Sequence, residues 1–103
     1  MIRLERWDRM RDGEPTEAAL RRKLEVRGYH VARHVYPPGT IFVTHTHDAD
    51  KIDAVVSGRF LLSIHGEDFV LEAGDTLDVP RETPHRAAVI GEEPVVSLDA
   101  VKN

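Results

Sequence analysis

The stretch Gly39-Thr-Ile-Phe-Val-Thr-His45-Thr-His47-Asp-Ala-Asp-Lys51 decides how this chain is read, and Gly74-Asp-Thr-Leu-Asp-Val-Pro80-Arg-Glu-Thr-Pro-His85 echoes it. In an extended strand successive side chains alternate faces, so His45 and His47 are expected to point the same way. Two imidazoles roughly 7 Å apart along a strand can share a metal ion if a third ligand arrives from elsewhere in the fold. His85, at the end of the echo, is the natural third. Neutral imidazole is the commonest metal ligand, and the chain has no cysteine to compete with it.

Outward from this stretch the pattern is one of short strands. Tyr29, Val31, Arg33 and Val35 alternate with His30, Ala32, His34 and Tyr36. Pro37-Pro38-Gly39-Thr40 reads as a turn with Pro second and Gly third. Further strands are expected at 41–47, 52–57, 60–64, 69–72, 77–80, 85–90 and 95–101, with a tight hairpin at His65-Gly66. Roughly eight short strands with regular turn signals predict an all-β sandwich or jelly roll.

The two quoted motifs resemble those of the cupin superfamily, in its small single-domain form. Gly39, His45, His47 and Gly58 fall at the first motif's positions, and Gly74, Pro80 and His85 at those of the second. Lys51 stands where the family has a Glu ligand, Glu82 where a Gly is usual and Val89 where an Asn is usual. The resemblance covers about residues 29–101. It implies a jelly-roll barrel, the double-stranded β-helix, with His45, His47 and His85 converging in its cavity, and a homodimer. Glu82 in a turn that needs positive φ would be strained, so a different local turn is expected there.

Before the barrel, residues 1–28 form an N-terminal segment with one helix packed outside it; residues 29–103 form the barrel, one domain overall. Ile2 and Leu4 alternate as in an edge strand, while Trp7 and Met10 suit a helical turn. Trp7 is read as a packing anchor, with the barrel mouth or a dimer partner as its other destinations. The helix is expected to begin at Glu14-Pro15-Thr16-Glu17 and to stop near Gly28. Leu20 and Leu24 give it a narrow apolar stripe that should lie on the outside of a sheet.

Composition narrows the function classes. The net charge of −4 argues against nucleic acid as a partner. It is unevenly spread, +2 over residues 1–28 and −6 over 29–103. No apolar run suits a secretory or membrane segment, so a cytoplasmic location is expected. The chain has no Gln, no Cys and a single Asn, which suits a thermophile; the excess of Arg over Lys equally fits a GC-rich genome.

At the site, three histidines can hold a divalent ion and leave coordination positions open. Imidazole suits Fe, Mn, Ni, Cu and Zn alike. Lys51 in place of a carboxylate weakens such a site unless something offsets its charge. Asp53, two residues on, is the first candidate for that offset or for a direct approach to the metal; a slip of the loop would bring in Asp50 instead. Lys51 itself reads as a salt-bridged substitute, an anchor for an anionic ligand, or, least of all, a Schiff-base nucleophile. His30, His34 and His65 are assigned to the exterior, although His34 and Tyr36 share a face at the cavity rim. Arg33, Arg59, Arg81 and Arg86 read as solvated, and Arg81 and Arg86 flank His85 near the mouth.

Three functions follow. The first is a metal-dependent enzyme on a small molecule, resembling three-histidine cupin dioxygenases, with Lys51 and Asp53 as the candidate catalytic residues. The second is a non-catalytic module binding a small acid or sugar. The third is a structural cupin whose cavity is closed by a Lys51–Asp53 pair. The first two stand level, so the sequence supports an enzyme and a binding protein equally.

Overall fold

The computed structural model describes residues 2–102. Nine strands and two helices follow in the order β1 (Arg3–Glu5), α1 (Arg9–Asp12), α2 (Glu17–Glu25), β2 (His30–Tyr36), β3 (Ile41–His45), β4 (Asp50–Ser57), β5 (Arg59–Ile64), β6 (Glu67–Leu71), β7 (Thr76–Val79), β8 (His85–Ile90) and β9 (Val95–Lys102). Two antiparallel sheets face each other. The larger has the order β1-β7-β4-β9-β2 and the smaller β3-β8-β5-β6. This is the expected jelly roll, with one strand added: β1, from the N-terminal segment, pairs with β7 at the edge of the larger sheet.

Strands β4 and β9 lie inside the larger sheet and are buried on both faces. Ile52 and Ala54 of β4, with Leu98 and Ala100 of β9, point outward and meet Leu20 and Leu24 of α2. The alternate residues Val55 and Val95 point inward and join Leu62, Leu71, Leu77 and Val79 in the core between the sheets. The helix stripe is therefore narrow but fully used: Leu20 and Leu24 are completely buried. Arg33 is not simply solvated. Its Nε donates to Glu17 Oε1 at 3.1 Å, tying β2 to the start of α2.

The helix begins slightly later than its sequence indicated. Thr16 is the N-cap, its hydroxyl accepting from the Ala19 amide at 3.1 Å, so Pro15 lies just outside the first turn. The segment ahead of it satisfies both of its sequence signals, with an edge strand at Arg3–Glu5 and a single helical turn at Arg9–Asp12, after Trp7. Asp75 is buried and pins this segment. It accepts from Arg6 at 2.5 Å and from the Glu72 amide at 2.9 Å. Trp7 packs against Gly74, where a Cβ would come within 2.5 Å of the Trp7 Cβ, and Gly74 also needs φ +88°. Lys23 lies 5.1 Å above the indole, whose Nε1 donates to the Gly13 carbonyl at 2.8 Å. Trp7 is thus a packing anchor on the barrel exterior.

The turns follow their residues closely. The Thr40 amide donates to the Pro37 carbonyl at 3.2 Å, as the Pro-Pro-Gly-Thr order requires. His65 and Gly66 both have positive φ, 54° and 77°, which is the two-residue hairpin whose twist matches its strands. Among the described residues no helix is long and apolar enough to cross a membrane.

Because Leu24 is wholly buried between helix and sheet, Leu24→Ala should cost about 2–5 kcal/mol of stability. Urea unfolding followed by circular dichroism would show this as a lowered midpoint.

Candidate metal centre

The site forms where the edge of the smaller sheet meets the inner face of the larger one. His45 ends β3 and His85 opens β8, and the two are cross-strand partners. The rings of His45, His47 and His85 lie with centroids 4.4–5.2 Å apart. One nitrogen from each falls within 4.8 Å of the others. Ligands held about 2.1 Å from one ion sit somewhat closer together than this, so binding would draw the rings slightly inward.

The route by which His45 and His47 meet is not simple strand alternation. Strand β3 stops at His45, and its pairing with β8 slips between Phe42 and His45. Two residues on β3, Val43 and Thr44, there oppose the single Arg86 on β8, which is a one-residue bulge. Phe42 faces the cavity, whereas Ile41 and Val43 point out and are 73% and 78% exposed. Without the bulge, His45 would continue the outward row of Ile41 and Val43. The extra residue turns it inward, and His47 follows in the loop.

Each ring has a partner arrangement suited to a ligand. His45 Nδ1 lies 2.7 Å from the Val43 carbonyl, and His85 Nδ1 lies 2.8 Å from the Thr83 carbonyl. A proton on Nδ1 satisfies each contact and leaves Nε2 as a bare acceptor. His47 Nε2 is buried and has no hydrogen-bond partner among the described residues. A buried polar atom left unpaired is costly, and a bound cation would relieve it. The donor set therefore fits a transition metal.

The pKa directions agree. The His47 value is lowered, chiefly by burial and then by the charge of Lys51 and the neighbouring imidazoles. The His85 value is lowered by burial, offset in part by its bond to Thr83. Both shifts favour the neutral ring, the form that binds metals.

Lys51 is held away from the role its position implies. It is 8% exposed, and its Nζ lies 3.4 Å from Asp53 Oδ1 and 2.5 Å from Asp99 Oδ1. The Asp99 contact is an ion pair out of line for a hydrogen bond, since the same oxygen lacks an aligned donor among the described residues. Burial alone would depress the Lys51 pKa, but Asp53 and Asp99 together outweigh it and the value is raised. A charged ammonium at neutral pH runs against a Schiff-base role. Burial is also the largest influence on Asp53 and raises its pKa, with Lys51 opposing. Asp53 and Asp99 sit directly opposite each other on β4 and β9, so their like charges need Lys51 between them.

Several sequence expectations change here. The Lys51–Asp53 pair exists but does not close the barrel: a cavity of about 240 Å³ remains, lined by both residues, by Asp99 and by the three histidines. Asp53 pairs with Lys51 and is not among the groups converging with the imidazoles. Asp50 does not slip in either; it accepts from the Arg81 amide at 2.9 Å outside the cavity. Arg81 is engaged there, and Arg86 faces the outer side of the smaller sheet. Glu82 keeps the positive φ, 59°, that a different turn would have avoided. Its amide donates to the His47 carbonyl at 2.7 Å, joining the two histidine-bearing loops. His30, His34 and His65 are exposed, and His34 stacks on Tyr36 with centroids 5.8 Å apart. Asp99 is the residue that sequence reasoning missed; only its inward parity on the last strand marks it.

The chain belongs to the cupin family: the family model described as "Cupin domain" matches residues 32–101. It is 32% identical over 69 residues to an uncharacterised protein of Methanocaldococcus jannaschii, a match covering 66% of this chain and 55% of that relative. The chain thus spans little more than half the length of that relative. Among solved structures, it is 27% identical to a chain from the crystal structures of the DMSP lyases RdDddP and RnDddQII, with TM-score 0.66, over 75% of this chain and 40% of that one. KdgF from a Halomonas species matches at 25% identity and TM-score 0.63, over 73% and 70% of the two chains.

Two outcomes follow. Groups with depressed pKa bind fewer protons folded than unfolded, so their contribution to stability is present above the ordinary histidine value, about 6.5, and is lost as pH falls through the lowered values. The metal-free protein should therefore show a falling urea midpoint from about pH 7 to 5, and a His47→Gln/His85→Gln variant a flatter profile. Lys51→Met leaves two facing carboxylates without a counter-ion and should cost about 3–5 kcal/mol; adding Asp53→Asn should restore part of it, as read by thermal unfolding.

Proposed function

We propose that this cupin holds a divalent transition-metal ion on His45, His47 and His85 and binds or transforms a small anionic molecule beside it. The observation that carries the reading is the buried Nε2 of His47, unpaired among the described residues and close to two rings whose Nδ1 atoms are tied to backbone carbonyls. Three neutral imidazoles supply no negative charge, so a bound ion would keep its full charge and attract an anion. Such an ion would supply Lewis-acid polarisation at open coordination positions.

The chain's own residues do the rest. Lys51 keeps its proton and, through Asp53 and Asp99, a fixed place in the cavity, where its ammonium faces the ligand space. Its charge is balanced, so it does not expel the ion as an unpaired lysine would. The likeness to the DMSP lyases supports a catalytic role, and the open cavity supports ligand binding over a purely structural one.

Elemental analysis of tag-free protein is the direct test. Near-stoichiometric iron, manganese, nickel, copper or zinc is expected in the wild type and should be lost in a His45→Ala/His85→Ala variant that still folds. Absence of metal from the wild type after incubation with excess divalent ions would refute the reading.

A further inference from the structure

The two ends of the cavity are chemically unlike. One end carries the three imidazoles and the Lys51–Asp53–Asp99 cluster. Further along the sheets, Tyr36, Phe42 and Phe60 form an aromatic wall built from both of them, with Tyr36 near enough to the cluster for burial and then the Asp99 and Asp53 carboxylates to raise its pKa. Their centroids are 4.9 Å apart for Tyr36–Phe42, 5.6 Å for Tyr36–Phe60 and 6.2 Å for Phe42–Phe60, in edge-to-face and stacked arrangements. Such a wall offers ring faces and edges to a flat apolar group. Apart from the Tyr36 hydroxyl it has no side-chain hydrogen-bonding group, so ligand hydroxyls buried against it would go unpaired at real cost.

Size and charge narrow the ligand further. A volume of about 240 Å³ lies just below the roughly 300–1,000 Å³ of ordinary ligand pockets, so the ligand must be compact. A divalent ion and Lys51 set against two carboxylates leave at least one positive charge uncompensated. One carboxylate on the ligand answers that charge at the polar end. A second carboxylate at the far end would have to be buried against the aromatic rings.

We infer that the cavity selects a monocarboxylate with a compact, flat, apolar body, of the size of an aryl acid, over polyhydroxylated and dicarboxylic acids. The carboxylate half of this inference rests on the metal-centre reading above; the apolar half rests on the aromatic wall alone.

The test uses the intact protein loaded with zinc, its metal content measured first, and titrated calorimetrically with benzoate, gluconate and succinate. Benzoate should bind at least tenfold more tightly than the other two. Phe42→Ala should weaken benzoate at least fivefold and leave metal content unchanged; if that variant fails to fold, Phe42→Leu keeps the bulk without the ring and carries the comparison. Gluconate or succinate binding as tightly as benzoate, or benzoate affinity indifferent to the loss of the Phe42 ring, would overturn the inference. If no metal is taken up, the metal reading fails by itself, and phenol becomes the probe of the wall. Phenol binding that depends on Phe42 would uphold the apolar selection, and no phenol binding would overturn it.

Discussion

Strands β4 and β9 have no solvent face, and most of the structure follows from that constraint. One row of their side chains must be apolar to receive Leu20 and Leu24 of the helix. The other row lines the space between the sheets. Because the period of a strand is two, a slip of one residue would drive Lys51, Asp53 and Asp99 into the helix interface and the apolar row into the cavity. Few changes would be costlier, so the register of this pair is firmly set. The helix, though it lies outside the barrel, thereby fixes which charges the barrel contains.

The charged row is self-contained. Two carboxylates face each other across adjacent strands and one ammonium serves both. In a complete site of the kind the motif implies, a carboxylate would approach the ion directly. Here the position is cationic and the negative charge sits on its neighbours. The histidines are left as the groups able to meet an ion, and the polar end of the cavity keeps a balance of charge that a lone lysine would have upset.

Much of this was legible in the residues. Alternating apolar positions, Pro-Gly turns and the His65-Gly66 hairpin place the body strands within a few positions of where they lie. His45, His47 and His85 were recognisable as a convergent set because their spacing is local to two motifs. The bulge in β3 was not legible: it replaces no residue with a telltale type, and parity alone would have justified His45 and His47 on a straight strand. Asp99 was hidden for a different reason. It lies far along the chain from Lys51, and its partner is fixed by which strands adjoin, a property of the whole sheet. Glu82 shows the reverse error. Its side chain argued against a left-handed backbone, but the hydrogen bond from its amide to the His47 carbonyl holds it there.

The two imidazoles that lean on carbonyls two residues upstream carry a last implication. Each contact lies within the histidine's own stretch of backbone, Val43 to His45 and Thr83 to His85. The tautomer of each ring is thus set by a few consecutive residues and does not depend on how far apart the two sheets stand. Small breathing motions of the barrel would change the distance between the rings without changing which nitrogen each one offers. The two segments behave as prefabricated pieces: the sheets decide where they are delivered, and the local backbone has already decided how they arrive.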